Sequence, residues 1–413
     1  MGSKPNTAAA LLISRRRFLK LGLGAAGTAG LMSSGLAGTV LAASPASAAG
    51  TRDSIDRAYS FLNTMMDAYE QGTTLRLIQS YSDQLGLFST AFTYDNALAI
   101  IAYLARRKRD DLERAMLLGD SLLYAQAHDP NYSDGRLRQA YNVGPYTFYD
   151  GSPQPDTFIH PDGTVNIGWQ FGFVGSAVGD MAWAAIALSQ LAFYTRESRY
   201  LDGALRLGQW IYDTTYATNG PGGYNFGVDG GNNLLTFKSS EHNIDVYALF
   251  NMLAQLTGDA TWTERADHAR DFLAAMWNAE GGFFWTGTNP DGVTINYYPI
   301  PEDVQTWSYL ALRDATYAVA LDWTAENLAT TDQQISGVTF STASLVATAP
   351  NNPNAVWLEG TAQLAAALLE RGGSDRAAAV NYLDNIRLAQ AQLGQGETVG
   401  GQPIPTGLGV VAA

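Results

Sequence analysis

The sequence predicts an all-α fold, an array of helical hairpins that carries long decorated loops on one face. Three observations predict it. Helical hydrophobic patterns follow one another in pairs, one member amphipathic and the other apolar on all sides. Connections alternate between long loops of Gly, Asn, Asp, Tyr and Trp and short returns such as Glu197-Ser198 and Asp259-Ala260. The many alternating apolar and polar runs that a sheet fold needs are missing.

The N-terminus reads as an export signal rather than as part of the array. Ser14-Arg15-Arg16-Arg17-Phe18-Leu19-Lys20 fits a twin-arginine pattern; a weakly apolar run from Leu21 to Ala43 and a cleavage site at Ala46-Ser47-Ala48 follow. Residues 1–48 are therefore expected to be removed by the twin-arginine export machinery, leaving a secreted or periplasmic domain over 49–413. No later stretch is long and apolar enough for a membrane span, so no stable membrane insertion is expected after cleavage.

Composition narrows the function. With 46% hydrophobic and 15% charged residues in 413, the chain can bury one large core. Residues 1–48 hold five basic side chains and no acid, so the mature part has 20 basic and 39 acidic ones and a net charge of −19. Such a chain repels phosphate backbones, and nucleic acid is not expected as a partner. Zero Cys excludes thiolate nucleophiles and Cys-based metal sites. Four His without a close pair make a catalytic metal unexpected, and no cofactor motif is present.

Outer, amphipathic helices are expected near 52–71, 110–126, 199–214, 262–278, 315–328 and 374–394. Inner, apolar ones are expected near 94–106, 180–195, 241–257, 303–312 and 357–371. The fourth outer helix sets Trp262, Ala266, Ala269, Phe272, Leu273 and Met276 on one face, while residues 244–256 are apolar all round, with Gly258 placed as the cap. Six outer helices thus meet five inner ones. A ring of six pairs would lack its last inner helix, because the chain runs out at Gly407-Leu408-Gly409-Val410-Val411-Ala412-Ala413.

Each inner helix begins with an acid: Asp95, Asp180, Glu241, Asp303 and Glu359. Capping and the helix dipole account for any one of them. Five of five, two being Glu, exceeds what capping demands. Glycosidic hydrolysis needs such paired carboxyls, one protonating the leaving oxygen and the other activating water, about 6.5–9.5 Å apart in an inverting enzyme. Trp169, Phe171, Trp183, Trp285, Tyr297, Tyr298, Trp307 and Trp357 lie in or beside the same loops and offer faces to sugar rings.

Tyr94-Asp95-Asn96-Ala97, Ser240-Glu241-His242-Asn243 and Trp357-Leu358-Glu359-Gly360-Thr361-Ala362-Gln363, in this hairpin setting, resemble the six-hairpin glycosidase superfamily over roughly residues 52–394. The resemblance implies an (α/α)6 toroid, incomplete at its C-terminus, that acts as a glycoside hydrolase without a cofactor. Catalytic candidates are Glu241, Asp95, Asp180 and Glu359. Substrate-binding candidates are Tyr94, His242, Asn243, Trp169, Trp285, Asp303, Trp307, Trp357, Gln363 and Arg136. Glu241, walled by apolar groups, is the expected general acid; Asp95, with Tyr94 and Asn96 as donors, is the expected base. Two alternatives stay open: a toroidal polysaccharide lyase, in which Arg136 and Arg138 would bind a uronate, and a non-catalytic array that binds glycans or proteins.

Overall fold

A computed structural model describes residues 45–168 and 172–412. The expected signal lies outside these residues apart from 45–48, where the first helix begins. Among the described residues no helix is long and apolar enough to cross a membrane.

Paired helices dominate, as expected. The outer set is α1 (Pro45–Met66), α3 (Arg109–Ala127), α5 (Ser198–Thr215), α7 (Thr261–Met276), α9 (Val319–Asn327) and α11 (Asp375–Gln392). The inner set is α2 (Thr93–Arg106), α4 (Val178–Thr195), α6 (Ser240–Thr257), α8 (Glu302–Leu312) and α10 (Leu358–Arg371). Three outer boundaries differ from the sequence reading, the first being the start of α1 at Pro45 rather than near 52. Helix α1 stops at Met66, and Asp67 beyond it is bound by Arg76 at 2.8 Å and Arg114 at 2.5 Å. Residues 315–318 form a separate 3-10 turn before α9.

Hydrophobic patterning explains the two layers. In α7 the buried residues are Trp262, Ala266, Ala269, Phe272, Leu273 and Met276, the single stripe its sequence displays. In α4 every residue from Met181 to Leu191 is buried, since outer helices cover one side and inner neighbours the others. Inner helices pack in chain order, α2 on α4, α4 on α6, α6 on α8 and α8 on α10. Their C-terminal ends turn tightly through left-handed residues at Arg107, Arg196, Gly258 and Arg313.

One device recurs at the start of every inner helix. The side chain four residues after each N-cap accepts the backbone N–H of a residue in the preceding loop. The pairs are Asn96 with Ile78 (2.7 Å), Met181 with Leu137 (3.2 Å), Asn243 with Tyr224 (2.8 Å), Gln305 with Phe284 (2.7 Å) and Thr361 with Val338 (3.1 Å). The first amide of each inner helix, an orphan donor by construction, bonds to a carbonyl of the next loop: Gln139, Phe226, Thr286, Phe340 and Ala412 accept from Thr93, Val178, Ser240, Glu302 and Leu358. Each unit is thereby clipped to the one after it. The short hairpins at 277–284 and 329–338 deliver Phe284 and Val338 to these clips.

Ala412 does for α10 what Phe340 does for α8, so the C-terminal tail occupies the place of a sixth unit's loop strand. The outer layer closes where Ser54 Oγ donates to Gln390 Oε1 at 2.6 Å, joining α1 to α11. Gln390 Nε2 then holds the tail at the Leu408 carbonyl, 2.8 Å away.

Candidate active site

Because the inner helices share one capping scheme, residues at equal distance from each N-cap form layers around the central axis. Two residues past the caps come Tyr94, Gly179, Glu241, Asp303 and Glu359, with Asp95, Asp180 and His242 one residue further. Six residues past the caps come Leu98, Trp183, Asp245, Trp307 and Gln363. The upper layer makes an acidic rim and the lower one a floor.

Aromatic contacts tie the two layers together. Tyr94 meets Trp183 edge-on at 5.6 Å between ring centroids, Trp183 meets Trp307 at 5.2 Å, and Tyr94 meets Trp307 at 6.2 Å. The Tyr94 hydroxyl donates to Glu359 Oε1 at 2.7 Å, and Gln363 Nε2 reaches the same oxygen at 3.3 Å. Two buried polar atoms here lack a hydrogen-bond partner within the protein, the indole nitrogen of Trp307 and Gln363 Oε1, while Asp245 is in reach of Trp183 and Glu302 of Thr306. Buried polar atoms are nearly always paired, so these make the floor a candidate place for contacts with water or a ligand.

Every acid in the cluster is pushed toward its neutral form. Burial raises Asp95 to about 7 and Asp180 to about 8, and the Glu359 and Asp95 charges, respectively, add to the effect. Glu241 and Asp245 lie well above the usual carboxyl range because of burial first and Asp303 second. Glu302, fully buried, rises for the same two reasons, and Asp303 rises through burial and Glu359. Glu359 keeps access to solvent at its edge, as a residue on the wall of a cleft; desolvation of its carboxyl raises it, while Tyr94 and Gln363 oppose the rise. Among the described residues, the charges acting on these seven carboxyls are other carboxyls.

Comparison with known proteins bears on the fold. No known protein-family pattern matches the chain, and no curated protein matches it in sequence. Solved structures do. A sugar epimerase from a ruminal bacterium is 13% identical over 87% of this chain and 92% of its own, with a TM-score of 0.60. A novel alpha-amylase from Clostridium perfringens is 10% identical over 85% and 91%, with a TM-score of 0.55. A family 76 glycoside hydrolase from a bovine Bacteroides thetaiotaomicron strain is 11% identical over 84% and 70%, at 0.52. The fold these structures share with the chain is the (α/α)6-type toroid of helical hairpins.

The toroid brings together most of the residues singled out from sequence. Asp95, Asp180, Glu241, Asp303, Glu359, Tyr94, Trp307 and Gln363 share the cleft. His242 borders it, its ring stacked on Phe226 at 4.5 Å and close over Gly179, and burial lowers it to about 4, so it is neutral. Trp285 and Trp357 are half-buried beside the rim, against Phe283 and Tyr297 and against Phe340. Trp169 lies outside the described residues.

Three expectations need correction. Asn243 is fully buried and its amide is consumed by Tyr224 N, Tyr224 O and Ser239 O, so it is a structural clip and not a sugar contact. Arg136 is 5% exposed, chelated by Asp134 and bonded to Asn232, and faces Tyr132 and Trp210; it is not free to bind a substrate. Tyr94 and Asn96 do not hold Asp95 ionised: Tyr94 serves Glu359, and Asn96 serves Ile78 and Phe92.

Sequence reading missed Asp245 and Glu302, and it named Trp183 as a ring for sugar without placing it beside Trp307 in the floor. The signals were present. Asp245 follows Glu241 by one helical turn on the same face, Glu302 adjoins Asp303, and Trp183 and Trp307 stand at equal distances from their caps.

Proposed function

We propose that the mature chain is an exported glycoside hydrolase that cleaves a neutral oligo- or polysaccharide by inverting general acid and base catalysis. The observation that carries this reading is the coexistence, in one aromatic-floored cleft, of carboxyls raised well above the usual range by burial and by one another and of Glu359, whose rise the Tyr94 and Gln363 hydrogen bonds oppose. Glu241 is the general acid, because burial, then the charges of Asp303 and Asp245, raise its pKa well above the usual carboxyl range and favour its protonated form. Glu359 is the base: it is the solvent-accessible member, where water can arrive, and Tyr94 donates to it. Asp95, the base expected from sequence, lacks those donors and is the alternative partner. The twin-arginine motif supports export.

The lyase reading finds little support, since Arg136 is tied up and Arg138 is locked to Asp129 at 2.5 Å. Neutralising a uronate requires a cation, and the charges acting on the cluster are all negative. A second reading, sugar epimerisation, draws on the neutral His242 at the rim and on the fold shared with a sugar epimerase. Products decide between them. A screen of the mature chain on a glycan panel should yield new reducing ends, with the anomer formed first read by proton NMR. A product with an intact glycosidic bond and an inverted carbon centre would favour the epimerase, and no turnover of any glycan would overturn both.

A further inference from the structure

Outside the cleft, an aromatic cluster stands on the same face of the ring. Phe88 stacks on Tyr146 at 4.7 Å and packs against Tyr149 at 4.8 Å, while Phe148 meets Tyr146 edge-on at 4.8 Å. The four rings come from two different loops. Phe88 belongs to the loop before α2, and the other three belong to a hairpin in which Tyr146–Thr147 pairs with Pro153–Gln154, in the loop before α4.

The cluster is neither ordinary core nor loose surface. Tyr149 is 78% exposed, yet its hydroxyl is tethered to the Gly86 carbonyl at 2.8 Å, so a bare ring is held in a fixed orientation. Phe88 has φ 53°, a left-handed conformation that a bulky side chain adopts only under constraint. The constraint is visible. Asp83, in the same loop, accepts from Thr398 Oγ1 and from the amides of Gly400 and Gly401 in the C-terminal hairpin, at 2.8–3.2 Å. Two loops and the tail therefore combine to present exposed aromatic surface at the cost of backbone strain.

The cluster is continuous with the cleft. Ser80 and Thr90 are hydrogen-bonded across the base of the Phe88 loop, and Tyr81 at that base has a hydroxyl raised by burial and by the charges of Asp95 and Glu359. One loop thus joins the acidic rim at Tyr81 to the platform at Phe88. We infer that the Phe88–Tyr149 platform is a distal subsite on which a sugar residue of the same glycan chain stacks, so that the protein acts on polymers rather than on short oligosaccharides alone. Sugar rings have apolar faces that suit an oriented, half-wet aromatic ring. This rests on the glycan-cleaving reading given above.

Affinity electrophoresis of the mature chain through gels containing soluble mannan, xylan, mixed-linkage glucan or chitosan tests the platform without requiring catalysis. Retardation of the parent by at least one polymer and its loss in Tyr149→Ala are expected. Tyr149→Phe keeps the ring, loses only the tether, and should retain most of the retardation. In parallel, the ratio of polymer to short-oligosaccharide turnover should fall between about twofold and about tenfold in Tyr149→Ala, the range of one aromatic stacking contact. Phe88→Gly, which removes a ring while relieving the left-handed backbone, should give the same loss with no fall in melting temperature. Equal retardation of parent and Tyr149→Ala, or no retardation of the parent by any polymer, overturns the platform. Retardation lost in the variant but no glycan cleaved by the parent leaves the platform standing and removes the hydrolase.

Discussion

The hydroxyl of Tyr94 donates to Glu359 across 2.7 Å and so joins the first inner helix to the fifth, at the point where a sixth helix would stand. That single bond does two things. It spans the gap in the inner ring, and it gives one carboxyl of a mutually repelling group a donor that opposes the rise burial imposes on its pKa.

Replacing that donor tests the base assignment. In Tyr94→Phe the ring remains on Trp183 and Trp307, but Glu359 loses its hydrogen bond, so its pKa rises further. Turnover needs the ionised base, hence the acid limb of the kcat profile should move to higher pH while the melting temperature changes little. An unshifted acid limb would return the base role to Asp95.

Glu241→Gln and Glu359→Gln preserve shape and remove proton transfer. Each should lower kcat on the order of 100-fold or more with KM nearly unchanged, measured on whichever glycan the parent cleaves. Normal turnover in both, with Asp95→Asn or Asp180→Asn inactive, would show that a different pair of the same rim does the chemistry.

Stability should depend on pH with a defined sign. Asp95 and Asp180 titrate near 7 and 8 in the folded chain and near about 4 when unfolded. Above about pH 4 the folded state therefore holds protons that the unfolded state has released, and the stability linked to these groups is lost as pH rises through 7 and 8. His242 has the opposite sign, its folded value of about 4 lying below the unfolded one, but it acts only below about pH 6.5. The melting temperature should accordingly drop between about pH 6.5 and about pH 9, and Asp180→Asn should flatten the drop. A melting temperature that rises over this range contradicts the burial of the cluster.

Asn243 separates structure from recognition. Its buried amide answers three backbone groups, and Asn243→Leu leaves the Tyr224 N–H without a partner. Urea unfolding should show a loss on the order of 3 kcal/mol. Undiminished stability with lost activity would place Asn243 back among the sugar contacts.

The sequence by itself determined the layering of this protein. Apolar residues on all sides can only be buried on all sides, so α4 and α6 had to be inner helices, and the single stripe of α7 had to face inward. The rim acids were legible for the same reason, since each stands a fixed distance inside an inner helix whose start is marked by a loop. Residue type alone could not say what each polar side chain answers to. Asn243 and His242 are adjacent and both suited to sugars, yet one is spent on the Tyr224 backbone and the other stacks on Phe226, because loops distant in the chain arrive there. Asp245 and Glu302 join the acids only when five helices are set in register around one axis. The environment that raises Glu241 is burial among packed helices and, after it, charges that include Asp303 and Glu359 from other helices, and that is a property of distance in three dimensions which no local pattern records.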